Sequence, residues 1–276
     1  ITGSGIASVT ATDMTKVSPT EYTYNYTIPT GDGTGTITLS TGTDLAGNNI
    51  TSVPTSGDTF TVDNTAPTAE ITYNYAGPYR NGESNVTITA TFNEDMKDAP
   101  VPKIIITGAG IASVTSSDMA KVSATEYTYD YTIPVGDGTG TVTLSTGTDL
   151  AGNTIITAPT SGNIFTVDNT APTAAITYSY AAPYKNGGTN VIITATFNED
   201  MVDSPIPQII ITGIGIVSVT ASDMTKVSAT EYTFDYTIPT GDGTGTITLS
   251  TGTDLAGNLI TNTPTTGDTF TVDNTI

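Results

Sequence analysis

The feature that most constrains this chain is a long internal repeat. The phrase TVDNT begins at Thr61, Thr166 and Thr271, and both intervals are 105 residues. TGTDLAGN recurs at the same spacing, with its Asp at Asp44, Asp149 and Asp254, and FNEDM occurs twice, with Glu94 and Glu199 in register. The opening ITGSGIASVT matches ITGAGIASVT from Ile106, so the first copy begins part-way through the unit. The expected organisation is a partial copy over residues 1–64, a full copy over 65–169 and a full copy over 170–276. A unit of this length is large enough to bury a core of its own, which separates it from the short stacked units of a solenoid.

Within a copy the apolar period is two. Val86, Ile88, Ala90 and Phe92 point one way and Thr87, Thr89 and Thr91 the other, the mark of a half-buried strand. Residues 126–132 read the same way, with Tyr127, Tyr129 and Tyr131 on one face; the opposite face carries Glu and Thr, so these rings are expected in a core and not on a carbohydrate-stacking platform. Further strands are predicted over 174–180, 103–107, 112–115, 139–145 and 164–167, separated by clusters of Gly, Pro, Asn and Asp. No segment has a helical stripe. About seven short antiparallel strands in 105 residues predict an all-β chain of tandem immunoglobulin-like sandwiches. Residues 1–64 have no counterpart of the first two strands, which leaves two readings: a piece of a longer run of repeats, or a half-domain completed by strands from a neighbouring chain.

Composition narrows the chemistry. The chain has no Cys, His or Trp, which removes disulfides, thiolate and imidazole metal sites and catalytic schemes built on His or Cys. Adjacent carboxylates in FNED do not flank a scissile bond, so no enzyme is expected. A net charge of −20, from 27 acidic and 7 basic residues, repels phosphate backbones and anionic membrane surfaces, and no nucleic-acid partner is expected. No stretch is apolar enough for a membrane span, so no membrane insertion is expected within these residues. An oxygen-rich, acidic chain of this kind suits an extracellular or cell-surface setting where hard divalent cations are available.

An immunoglobulin-like sandwich brings the chain's entry, the loop after its second strand and the loop after its sixth to one pole. FNEDM follows the second strand and TDLAGN the sixth, while VDN ends the preceding copy. Calcium sites are therefore expected at the inter-domain junctions: Asp63, Asn64, Glu94, Asp95 and Asp149 at the first, Asp168, Asn169, Glu199, Asp200 and Asp254 at the second. Carboxylates gathered without a cation repel one another, and Ca²⁺, with six to eight oxygen ligands, relieves that cost. The competing reading is that these Asp and Asn residues only cap turns. Asp137 in GDGTG could reach the junction from the other side, although Gly-Asp-Gly also suits a tight hairpin. Lys16, Lys121 and Lys226 recur in register; a solvated lysine is the first reading and an isopeptide bond to Asn the second. Asn25, Asn49 and Asn85 begin glycosylation sequons that do not recur between copies.

The succession FNEDM, IIITG, a Tyr-rich strand, GTGTVTLSTGTDLAGN and VDNTAPT resembles the Ig-like tandem repeats of large bacterial surface adhesins and of surface-layer or filament proteins. The resemblance spans the whole chain and implies structural or adhesive rods, some of them stiffened by calcium between domains. The phrase after the second strand departs from the family's Phe-Ser-Glu-Pro pattern, since this chain has Phe92, Asn93, Glu94 and Asp95. The partners implied are neighbouring repeats of the same chain, other copies in a filament or lattice, and glycans or surfaces. A glycan-binding module and an accessory part of a secreted hydrolase are the alternative functions.

Overall fold

A computed structural model describes residues 1–275, and helices are absent among them. The second repeat holds eight strands: β5 (Ala69–Tyr73), β6 (Val86–Phe92), β7 (Lys103–Thr107), β8 (Val114–Asp118), β9 (Ala120–Lys121), β10 (Glu126–Tyr131), β11 (Gly138–Ser145) and β12 (Ile164–Val167). They form two four-stranded antiparallel sheets, ordered β5-β6-β10-β9 and β12-β11-β7-β8. The third repeat copies this arrangement with β13 (Ala174–Tyr178), β14 (Val191–Phe197), β15 (Gln208–Thr212), β16 (Val219–Asp223), β17 (Thr225–Lys226), β18 (Glu231–Tyr236), β19 (Gly243–Ser250) and β20 (Thr269–Val272). This is the immunoglobulin-like sandwich anticipated from the repeat.

The strands follow from side-chain alternation. Along β6 the apolar residues Val86, Ile88, Ala90 and Phe92 are buried, while the threonines between them are exposed or half-buried. Tyr127 and Tyr131 are buried opposite them, and Tyr129 packs against the same core. Phe165 on β12 lies over Gly140 of β11, where an added Cβ would fall 2.3 Å from the ring. That glycine is what lets the aromatic ring cross the sheet and meet Tyr131, 5.3 Å away between centroids.

One element departs from expectation. The strand predicted over 112–115 runs instead over Val114–Asp118, and it pairs with β7; the two-residue β9 then pairs with β10 in the other sheet. The chain changes sheets at Met119, which is buried and whose N–H donates to the Pro102 carbonyl at 3.0 Å. A buried apolar residue between two exposed stretches makes that corner, and a search for alternation cannot distinguish it from strand continuation.

Residues 1–64 form only two two-stranded sheets, β1 (Thr15–Lys16) with β2 (Tyr22–Thr23), and β3 (Gly33–Thr36) with β4 (Thr59–Val62). Tyr22 is 50 % exposed, whereas its equivalents Tyr127 and Tyr232 are 0 % exposed. The difference is the missing neighbour: β6 and β14 cover those tyrosines in the complete repeats, and residues 1–64 contain no such strand.

Candidate metal centre

Each junction between repeats brings three carboxylates together. Asp63, Glu94 and Asp149 form the first group and Asp168, Glu199 and Asp254 the second, with the ligand oxygens of each group within 4.8 Å of one another. Among the described residues these are the groups of three acidic side chains so placed. The members come from three segments of two successive repeats: the exit of one repeat, the loop after β6 or β14 of the next, and the loop after its β11 or β19.

The loop after β11 is organised by Asp149. Its Oδ1 accepts the N–H groups of Gly152 and Asn153 at 2.6 and 2.8 Å, and its Oδ2 accepts the Asn153 side-chain amide at 2.7 Å. Those bonds hold the Asp149 carboxyl below the usual range against the opposing effect of its burial, which leaves it ionised. Asn153 Nδ2 also donates across the junction to the Asp63 carbonyl at 3.1 Å. The second junction repeats the device: Asn258 donates to Asp254 Oδ2 at 2.9 Å and to the Asp168 carbonyl at 3.0 Å. A backbone bridge places the loop after β6 beside it, Met96 opposite Asp149, and Met201 opposite Asp254 in the next copy.

The glutamates feel this crowding. Burial pushes the Glu94 carboxyl above its usual range, and the neighbouring Asp63 and Asp149 charges add to the shift. Glu199 is raised in the same way, by burial and then by Asp168 and Asp254. Each site therefore favours either a proton or a cation over three free negative charges.

The other residues expected at the sites are placed differently. Asp95 and Asp200 are exposed and lie outside the two groups. Asn64 and Asn169 serve the exit of their own repeats. Asn169 Nδ2 donates to the carbonyls of Pro134 and Gly136 at 3.3 and 2.9 Å, and its Oδ1 accepts the Asn81 N–H at 2.7 Å. Asn64 donates likewise to Pro29 and Gly31 at 3.3 and 3.0 Å. Asp137 is the anchor of this latch: it accepts the Asn169 N–H at 2.5 Å and the Thr170 hydroxyl, and these bonds, the hydroxyl first, lower its carboxyl below the usual range. Lys121 and Lys226 pair with Asp98 and Asp203. Asn153 and its equivalent Asn258 are absent from the ligand sets expected from the sequence, although Asn258 is expected at the same pole as Asp254 and the Asp-x-x-x-Asn spacing of TDLAGN is the signal of a loop closed by its own side chains.

The donor set is oxygen only, which suits a hard divalent cation. Two ligands on opposite sides of a Ca²⁺ ion stand about 5 Å apart at the usual metal–oxygen distance. The carboxylate oxygens of each group, all within 4.8 Å of one another, are close enough to share such an ion.

Fold and site together define a tandem array of immunoglobulin-like sandwiches with an acidic, two-repeat centre at each junction. No family model matches the chain, and no curated protein matches its sequence. Among solved structures, the chain is similar to the Escherichia coli adhesin FdeC, at 14 % identity and a TM-score of 0.41 over 89 % of this chain and 76 % of that one. It is also similar to the Yersinia pseudotuberculosis adhesin InvE, at 16 % identity and a TM-score of 0.26 over 75 % of this chain and 58 % of that one. A third likeness is to the N-terminal part of the bacterial S-layer protein SbsC, at 16 % identity and a TM-score of 0.27, covering 76 % of this chain and 45 % of that one.

Proposed function

We propose that the chain is an extracellular structural or adhesive rod, in which calcium at each junction joins one immunoglobulin-like repeat to the next. The observation that carries this reading is that the same three-carboxylate group is built twice, each time from two successive repeats. Asp63 and Asp168 supply the exit of the earlier repeat; Glu94 with Asp149, and Glu199 with Asp254, supply the facing loops of the later one. A cation shared by these groups draws the two repeats together, where the bare carboxylates push them apart. Bound calcium supplies charge neutralisation; the chain's own residues fix where it acts, Asn153 and Asn258 by holding the loop carboxylates and the preceding carbonyls in one place.

Isothermal titration of the full chain with calcium, at physiological ionic strength, tests the reading. Two sites are expected. Asp149→Asn should remove one and Asp254→Asn the other, while the double variant should bind none. Absence of heat and of any thermal stabilisation at millimolar calcium would overturn the reading that calcium joins the repeats.

A further inference from the structure

Between the second and third repeats lies a cleft of about 620 Å³, bounded by Tyr75, Pro78 and Glu83 on one side and by Val202 and residues 253–257 on the other. Arg80, on the loop between β5 and β6, reaches from the second repeat to the third at Gly257, one of the cleft's lining residues. Its Nη1 donates to the carbonyl of Gly257 in the following repeat, and its Nη2 stands 4.0 Å from the Glu83 carboxylate. Gly257 has a φ of +86°, and a Cβ added there would point at the guanidinium, 3.7 Å from its Cζ. The glycine thus presents bare backbone to the arginine. The loop so held is closely covered: Ala256 and Asn258 are 4 % and 6 % exposed, whereas the equivalent Ala151 is exposed. On the third repeat the same face carries Lys185 and forms an open cleft of about 820 Å³ with Tyr180 and Pro183 in its wall.

We propose that Arg80 is a clamp between the second and third repeats that needs no metal ion. The guanidinium is permanently charged and presents its donors in a rigid fork, and its bond to a carbonyl is charge-assisted and therefore stronger than a neutral one. Arg80 lies beside Asp168, because its neighbours Tyr79 and Asn81 are bonded to Asp168 and Asn169, so the guanidinium and the Asp168 carbonyl hold the same 254–258 loop of the later repeat from adjoining positions. The clamp also explains why residue 80 is basic in a chain with so few basic residues: the acceptor is a carbonyl at the end of an acidic loop, beside Asp254.

The chain contains no cysteine, so a pair of introduced cysteines can be spin-labelled specifically. Ser116→Cys on β8 and Ala221→Cys on β16 are exposed and equivalent in the two repeats. Pulsed dipolar spectroscopy on the full chain then reads the distance distribution between repeats two and three. In chelator, the labelled parent should keep a single narrow distance and Arg80→Ala should lose it, with Arg80→Lys between them. In calcium, all three should be narrow. A broad parent distribution in chelator, or an Arg80→Ala distribution as narrow as the parent's, would overturn the clamp. Should Arg80→Ala be broad in calcium as well, the clamp stands and the calcium stiffening proposed above fails. An unchanged thermal unfolding of Arg80→Ala in calcium establishes that the altered distances come from the junction and not from a misfolded repeat.

Discussion

At the scale of single residues, the junction glutamates and the latch aspartate Asp137 respond to pH in opposite directions. Glu199 is raised by burial and by Asp168 and Asp254, so without calcium its contribution to stability is full below the ordinary glutamate pKa and is lost as pH rises through its raised folded value. Asp137 is lowered by the Thr170 hydroxyl and the Asn169 N–H, so its contribution is present above the ordinary aspartate pKa and is lost as pH falls through its lowered folded value. Glu199→Gln is therefore expected to raise the thermal midpoint in chelator at neutral pH while reducing the gain on adding calcium. Differential scanning calorimetry in both conditions checks this, and a drop in both would mean that Glu199 acts only through local packing. Asn258→Ala removes the donor shared by Asp254 and the Asp168 carbonyl, and it should weaken the second site by about 10-fold or more, as loss of a group that orients a ligand typically does.

At the scale of elements, the sandwich depends on a few close packings and on a linker with little freedom. Gly140→Ala would drive a methyl into the Phe165 ring, and overpacking of this kind should cost about 1–3 kcal/mol, measurable by urea unfolding. The linker after β12 is held almost residue by residue. Asp168 N–H donates to the Tyr79 carbonyl at 2.9 Å and Thr170 N–H to Asp168 Oδ1 at 3.0 Å. Thr173 N–H donates to Asn198 Oδ1 at 2.6 Å, and the Pro172 carbonyl accepts from Thr261 N–H at 2.9 Å. Pro172 adds its own fixed φ. Asp137→Ala frees the Asn169 and Thr170 end of this segment, and faster amide exchange at residues 169 and 170 with unchanged protection in β14 is the expected result. Strand positions were legible from alternation, as in β6, because each buried face is written into every second residue. The corner at Met119 was not, because a strand that leaves one sheet for the other keeps the same local pattern.

At the scale of the molecule, a net charge of −20 spread over a row of repeats makes the array a polyanion whose junctions concentrate that charge. Calcium should therefore stabilise the chain in proportion to site occupancy, by about 2.7 kcal/mol per site at 100 times the dissociation constant. The thermal midpoint is expected to rise with calcium concentration, to plateau, and to return on chelation; magnesium, smaller and slower to shed water, should be the weaker ligand. The incomplete first repeat should melt apart from the other two, since its Tyr22 is half exposed where Tyr127 and Tyr232 are sealed.

The sequence by itself determined the repeat, the all-β class and the identity of the acidic phrases, because a 105-residue period and a two-residue alternation are properties of the order of residues alone. Tertiary structure decided which members of those phrases meet. Glu94 and Asp149 converge through the fold of one repeat and Asp63 joins them only where the preceding repeat meets it, while Asn64 and Asn169, adjacent to the convergent aspartates, are turned away to latch their own repeats. The clamp at Arg80 had no signature in the sequence, since its partner is a backbone carbonyl 177 residues later and a carbonyl is common to every residue. Spacing along a chain fixes local conformation, whereas a junction is fixed by the shapes of two folded surfaces.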